Sequence, residues 1–325
     1  MIGNGYHIVA PVCSAEEVKP LIQAGANEVY FGIMPKSWIG KYGCSDFISR
    51  RQSEYAHICD YAELSEIAGI VNDCGCTSTL ALNARYSESQ MPAIFEILEQ
   101  WENRGGHSVM VSDLEILLWL EGRKSRLTRQ LSVMAGVFNR HSVDFFKQMK
   151  VSRMVLPREL SMEEIGRFME CSDESIEYEI ITMFQKCEFI DSFCGFYHSV
   201  DYRAFVDENY TGLKENLPLI FSCDPEYEGH GCQMEFVCKN RKINHLENHD
   251  FKTPFCAACS LETLRNAGVN NFKIAGRGYP PELILRATRF IKQTLDNLPL
   301  APAAIRSTYQ STFGSNCCTT NCYYP

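Results

Sequence analysis

The sequence predicts an α/β fold, a single TIM-like (β/α)8 barrel, and three observations lead there. Eight short apolar runs recur along 325 residues. Segments with helical periodicity and capping signals separate them. The runs are nearly continuous in apolar residues rather than alternating, as parallel strands covered on both faces require. Strands alternating with helices close most simply into a barrel, although an open, doubly wound sheet fits the same periodicity.

The runs fall at residues 7–12, 28–33, 78–83, 108–113, 130–135, 153–160, 178–184 and 271–277. Between the first two, Ser14-Ala15-Glu16-Glu17 reads as a capping box ahead of a helix with Val18, Leu21 and Ile22 on its apolar face. Pro20 should kink or shorten that helix. Asp60 with Glu63, and Ser161 with Glu164, repeat the signature. Pro281 suits the first turn of a long helix reaching about residue 297. Residues 1–300 therefore read as one domain. Its rhythm breaks over about 187–259, an irregular Cys-rich insertion before the last strand, and connections of that length usually carry function. Residues 301–325 are poor in helix signal, end in Cys317-Cys318-Thr319-Thr320-Asn321-Cys322, and read as a flexible tail.

Composition narrows the function classes. With 45% hydrophobic and 22% charged residues the chain can bury a full core. A net charge of −9 argues against a surface that holds nucleic acid by charge alone, while leaving room for a local basic groove. No apolar run is long enough to span a bilayer, and the first six residues lack the charged and apolar regions of a signal peptide. The expectation is a cytoplasmic protein with no membrane partner. Its 16 cysteines then read as metal ligands or reduced core residues rather than disulfides.

No Gly-x-Ser-x-Gly elbow, His-Glu-x-x-His helix or Gly-x4-Gly-Lys loop is present. Gly276-Arg277-Gly278 suits a strand-to-loop turn or a phosphate-binding turn. The cysteines carry more. Cys187 and Cys194 follow the seventh run; Cys223, Cys232 and Cys238 lie in the insertion; Cys256 and Cys259 precede the last run. Soft thiolates converging from separate loops suit an iron–sulfur cluster, with zinc as the rival metal and reduced buried cysteines as the plain alternative. Cys232, Cys238, His245 and His249 superficially resemble a Cys2His2 zinc site, with too short a central linker.

Several motifs in one order resemble the U32 collagenase-like peptidases from about residue 7 to 298. Ala10-Pro11 and the stretch Ala24-Gly25-Ala26-Asn27-Glu28-Val29-Tyr30-Phe31-Gly32 resemble the family's N-terminal signature. Residues 79–83, Val111-Ser112-Asp113, Val155-Leu156-Pro157-Arg158-Glu159-Leu160-Ser161 and Phe272-Lys273-Ile274-Ala275-Gly276-Arg277 resemble its later strands. The resemblance implies a barrel carrying a [4Fe-4S] cluster on Cys187, Cys194, Cys256 and either Cys223 or Cys232. It also implies oxygen-independent hydroxylation of RNA or a ubiquinone precursor, with prephenate as the hydroxyl source, and a related family subunit as heterodimer partner. The sequence departs from the family where Phe184-Gln185-Lys186 replaces a His-Gly pair before Cys187. It departs again where Ala275 replaces a Glu, and where Ser132-Val133-Met134 replaces Ser-Thr-Gln.

Barrel enzymes place chemistry at the C-terminal ends of their strands. Asn83, Asp113, Ser132, Arg158, Glu159, Lys273 and Arg277 fall at or near those ends. Asp113 and Glu159 are candidates for acid–base work, and Arg158 and Lys273 for clamping a carboxylate-bearing donor. Asn83, Ser132 and Arg277 are candidate substrate contacts. The same residues would also serve as ion pairs closing the mouth. The leading expectation is a hydroxylase-like enzyme acting on RNA, a peptide or a small aromatic precursor. A peptidase and a non-catalytic iron–sulfur subunit are the alternatives.

Overall fold

A computed structural model describes residues 5–42, 48–51, 56–170, 172–184, 186, 190–193, 254–315 and 321–324, and the backbone of 235–238 and 241–244. Eight parallel strands close a barrel. They are β1 (His7–Pro11), β2 (Glu28–Ile33), β4 (Thr77–Leu82), β5 (Ser108–Val111), β6 (Thr128–Leu131), β7 (Val151–Val155), β8 (Glu177–Met183) and β11 (Asn271–Ile274). A short β3 (His57–Ile58) lies outside this ring, alongside the end of β2. β1 closes the circle: Val9 pairs with Lys273 of β11 on one side and Glu28 of β2 on the other. That double pairing excludes the open-sheet alternative.

The eight barrel strands coincide with the eight apolar runs. Two runs overshoot. Residues 133–135 form a 3-10 turn ended by Gly136 in the left-handed region, not strand. After β7, Pro157 lacks an amide hydrogen, and Arg158 to Leu160 lie in the following loop.

Helices cover the outer face. Ile8, Phe31, Leu80, Val109, Leu131, Met154, Ile180 and Phe272 are fully buried in the apolar core that they share with the helices. Each such burial is worth about 1.5–3 kcal/mol. Phe31 meets Trp101 of the helix Met91–Asn103 edge to face at 5.3 Å.

The capping expectations resolve separately. Ser161 and Glu164 make the full reciprocal box: Glu164 N donates to Ser161 Oγ at 3.3 Å, and Ser161 N to Glu164 Oε2 at 2.7 Å. Asp60 caps the helix Tyr61–Asp73 alone, accepting from Ala62 N. Its expected companion Glu63 instead accepts from Ala15 N across the structure. Ser14 makes no side-chain cap; Glu17 accepts from Cys13 N, and a 3-10 turn leads into a six-residue helix containing Pro20.

The expected tail is corrected. Residues Pro302–Phe313 form a helix that buries Ile305 and Tyr309. Beyond it Tyr323 is buried as well, and the backbone of Cys322 pairs with that of Cys256 in an isolated parallel β-bridge, neither thiol being in a disulfide. Within the Cys-rich insertion, β9 (Glu235–Cys238) and β10 (Arg241–Asn244) pair as an antiparallel hairpin. No helix among the described residues is long and apolar enough to cross a membrane.

Candidate active site at the barrel mouth

Below the mouth, the barrel interior is charged and matched. Arg153 NH1 on β7 meets Glu28 of β2 at 2.6 Å and Glu179 of β8 at 3.5 Å. Lys273 of β11 meets Glu179 at 2.8 Å. Thr79 and Gln130 add hydrogen bonds to Glu28 of 2.5 and 3.2 Å. Partners on strands that are not neighbours place these side chains inside the barrel. Burial works against the Glu28 charge, yet Arg153 and the hydrogen bonds of Thr79 and Gln130 hold its carboxyl below the ordinary value. Burial likewise opposes the Arg153 charge, and Glu28, Glu179 and Glu177 more than offset it. For Lys273 burial wins, and its ammonium is held below its ordinary value despite Glu179.

Above this layer a cavity of about 90 Å³ opens at the C-terminal strand ends. Ala81, Met110, Val155 and Ile181 give it an apolar part. Its charged lining is Arg50, Arg51, Arg158, Lys273 and Arg277, with Asp191 as the acidic member. Arg158 grips Asp191 through two bonds of 2.7 and 2.5 Å. Lys273 Nζ lies 4.1 Å from the centre of the Tyr30 ring, whose hydroxyl donates to Ile274 O.

Arg277 is different. It is 5% exposed, and NH2 donates to Ser49 Oγ at 3.1 Å. NH1 is buried with no hydrogen-bond partner among the described residues. Burial pulls its pKa down to about 10, against the pull of the Tyr30 hydroxyl. Gly32 makes room for it: a Cβ there would come within 2.2 Å of NH1. Ser49 Oγ also lies 2.9 Å from His57 Nε2, so β3 and the 48–51 segment build one wall of the mouth.

The structure gathers Asn83, Ser132, Arg158, Lys273 and Arg277 around this one cavity. Asn83 Nδ2 donates to Ser132 Oγ at 3.3 Å, and Asn83 Oδ1 accepts from Arg50 N at 3.0 Å. Asp113 and Glu159 do not line it. Asp113 caps the helix Leu114–Gly122, accepting from Glu115 N at 3.0 Å, and also accepts from Tyr86 N. Glu159 accepts from Asp191 N at 3.0 Å; burial, then the Asp191 charge, raise its pKa. Sequence reasoning missed Arg50, Arg51, Asp191, Ser49 and His57. The Arg50-Arg51 pair beside Ser49 was the available signal.

Of the expected metal ligands, Cys187, Cys194, Cys223 and Cys232 lie outside the described residues, as do His245, His249 and the Cys238 side chain. Cys256 is described and 4% exposed. Its Sγ accepts from Ala258 N at 3.3 Å, and its backbone bridges Met183 at the end of β8. Among the described residues no group of three His, Cys, Asp or Glu side chains could hold a metal.

The profile of peptidase family U32 matches residues 13–311. The chain belongs to peptidase family U32. Within reach of that family, it is 22% identical over 302 residues to a collagenase of Porphyromonas gingivalis, covering 90% of this chain and 66% of that protein, just under two thirds of its length. It is 23% identical over 289 residues to tRNA hydroxylation protein P2 of Bacillus subtilis, covering 89% of this chain and 85% of that one. The solved U32 peptidase Mk0906 superposes with a TM-score of 0.49 at 13% identity, over 86% of this chain and 96% of that one.

Proposed function

We propose that this U32 chain is a cytoplasmic, iron–sulfur-dependent enzyme that hydroxylates its substrate without molecular oxygen. The observation that carries the reading is Arg277, a buried guanidinium with one nitrogen unpartnered among the described residues, facing a small, partly apolar cavity rich in cations. An isolated buried charge is costly, and a carboxylate taken in a charge-assisted bond would offset that cost. The ligand class that fits is a small organic carboxylate serving as hydroxyl donor. Arg158 and Lys273 already hold Asp191 and Glu179, so their part is to set the field around the donor while Arg277 anchors it. Ser132 and Asn83 present hydroxyl and amide groups to its polar parts, and Ala81, Val155 and Ile181 exclude water from its skeleton. Glu159, with its raised pKa, is placed to hold a proton beside Asp191.

A [4Fe-4S] cluster would supply one-electron chemistry to this site. Cys256 suits it, because its buried sulfur accepts a backbone N–H, one of the features that tune cluster thiolates. On the family resemblance Cys187, Cys194 and one of Cys223 or Cys232 would join it. Zinc is the alternative metal. The name of the Bacillus relative supports transfer RNA as acceptor, the net charge of −9 suits a peptide at least as well, and the family resemblance adds a small aromatic precursor. A related family subunit is the proposed partner.

The test is anaerobic purification followed by iron and sulfide analysis, with mass spectrometry of RNA and peptides from a deletion strain. Loss of a modification worth one oxygen atom is expected. A protein that takes up no iron on reconstitution, in a strain that lacks no such modification, ends this reading.

A peptidase reading rests on a separate observation. Ser49 Oγ sits 2.9 Å from His57 Nε2 with Arg277 donating to the same oxygen, a hydroxyl, a base and a cation in contact. Ser49→Ala would abolish peptide cleavage on that reading, whereas on the first it would only loosen Arg277 and leave hydroxylation measurable.

A further inference from the structure

Lys273 joins the two charged layers of the barrel. It sits on β11, and its side chain is 6% exposed and lines the mouth cavity. Three groups bound its nitrogen. Glu179 Oε1 lies 2.8 Å from Nζ, the Met110 sulfur 3.5 Å, and the centre of the Tyr30 ring 4.1 Å. Met110 and Tyr30 are cavity residues, whereas Glu179 is fully buried in the interior layer. An ammonium has three hydrogens to donate, and a thioether is a weak acceptor. Among the described residues, Glu179 is therefore its one strong partner, on the side away from the cavity.

These surroundings favour the neutral amine. Burial outweighs the attraction of Glu179 and Glu28, Arg153 adds repulsion, and the Lys273 pKa falls below 10.5. A lysine desolvated among apolar groups, or set beside another cation, is the kind that attacks carbonyl carbon. Arg277 supplies the second cation. Its Cζ lies 6.0 Å from the centre of the same Tyr30 ring, and it lines the same cavity. An amine and a carboxylate-seeking guanidinium thus share one aromatic wall. A small molecule with a carbonyl next to a carboxylate can meet both.

We propose that Lys273, beyond setting the field, forms an imine with a small 2-oxo acid whose carboxylate Arg277 holds. The inference rests on the reading of Arg277 as a carboxylate anchor, narrows that ligand to a 2-oxo acid, and is independent of the cluster. Glu179 first takes a proton from the Lys273 ammonium. The freed lone pair of Nζ bonds to the carbonyl carbon, the C=O pair moves to oxygen, and a proton passes from nitrogen to that oxygen. Glu179 then returns its proton as the C–O bond breaks, and water leaves. Nothing is oxidised or reduced. The iminium carries the positive charge that the ammonium carried, so the interior layer keeps its balance. It also draws electrons from the adjoining bonds, which activates the carbon beside the former carbonyl.

The test is reductive trapping on the full chain, with pyruvate as probe and borohydride to convert the imine to a stable secondary amine. Intact mass spectrometry should show a single adduct, equal to pyruvic acid less one oxygen atom, and peptide mapping should place it on Lys273. Lactate, which lacks the carbonyl, should give none. Half-maximal trapping should come below pH 10.5, because the neutral amine is available there earlier than in an ordinary lysine. Arg277→Gln should need about tenfold more pyruvate for the same yield, the effect of losing one charge-assisted bond. Lys273→Arg should lose the adduct with an unchanged circular dichroism spectrum; if that variant does not fold, the position of the adduct in the wild-type chain decides. A wild-type chain that binds malonate yet gives no adduct would overturn the imine and leave the Arg277 reading standing. Adducts spread over exposed lysines, and kept in Lys273→Arg, would overturn it too. A Lys273 adduct indifferent to Arg277→Gln would overturn the carboxylate anchor and the reading beneath it.

Discussion

Two sets of buried charges sit one above the other in this barrel, and they are balanced differently. In the interior, Glu28 and Glu179 face Arg153 and Lys273, two carboxylates against two cations, with Thr79 and Gln130 filling remaining acceptor positions. At the mouth, Arg158 is matched by Asp191, but Arg277 meets a serine hydroxyl and keeps a nitrogen unpartnered among the described residues. Charge that is matched within the chain stabilises the closed ring. Charge left over at a cavity marks where something else binds.

The comparison breaks most visibly at Glu28. Glu28→Gln removes the shortest partner of Arg153 and leaves it Glu177 at 2.7 Å and Glu179 at 3.5 Å, and removing one partner of a buried pair costs up to about 3–5 kcal/mol. Denaturant unfolding should register a loss of that order. The pH dependence has a definite sign. The Glu28 carboxyl is held below its ordinary 4.5, so its stabilisation is present above that value and fades as pH falls through the folded-state value. Glu28→Gln should flatten that part of the acid limb; an unchanged acid limb would show that Glu28 is not the group responsible.

Arg277→Gln should do the reverse. Stability should hold or rise, because an incompletely paired buried charge is removed. Binding of small carboxylates, read as a thermal shift on adding benzoate or malonate, should weaken by about 2–5 kcal/mol. A variant that loses stability but binds benzoate or malonate as tightly as before would reverse the assignment of the two layers.

Asp113 separates capping from chemistry at a smaller scale. Asp113→Ala should cost about 1 kcal/mol of stability, and Asp113→Asn almost none, since Asn caps as well as Asp. If Asp113→Asn instead kept its stability and lost turnover, the carboxylate would be doing acid–base work. The smallest effect is expected at Glu159. Its pKa is raised by burial and then by Asp191, so its contribution is complete below 4.5 and lost as pH rises through the folded-state value. Glu159→Gln should remove that decline, visible as a flatter melting temperature above pH 5.

The ring of strands was legible because each strand is a compact apolar run between turn residues. The interior charges were hidden inside those same runs. Glu28 opens its strand, Arg153 interrupts Val151–Val155 and Lys273 interrupts Asn271–Ile274, and no run shows which charges will meet across the barrel. The helix Pro302–Phe313 was missed for a local reason. Four of its residues are Ser307, Thr308, Ser311 and Thr312, types that compete with the backbone for hydrogen bonds and read as loop. In the fold Thr308 and Thr312 turn their hydroxyls back onto Ala304 O and Thr308 O, and Ile305 and Tyr309 pack inward. Strand-end position pointed to Asn83, Ser132, Arg158, Lys273 and Arg277, which line one cavity. It did not show that Asp113, a carboxylate at a strand end, is also the cap of the next helix. Asp191 was out of reach, because its partner Arg158 lies 33 residues away.

The pairing of β1 with β11 also has a consequence in time. The first strand cannot finish its hydrogen bonding until residues 271–274 are available, so the sheet carries two open edges until nearly the whole barrel has formed. Folding should therefore be slow, as for chains dominated by distant contacts. The long stretch between β8 and β11 adds little to that burden, because each doubling of a loop costs only about 0.6 kcal/mol. A barrel closed in this way can lengthen that one connection, and gain cysteines in it, at small cost to the ring.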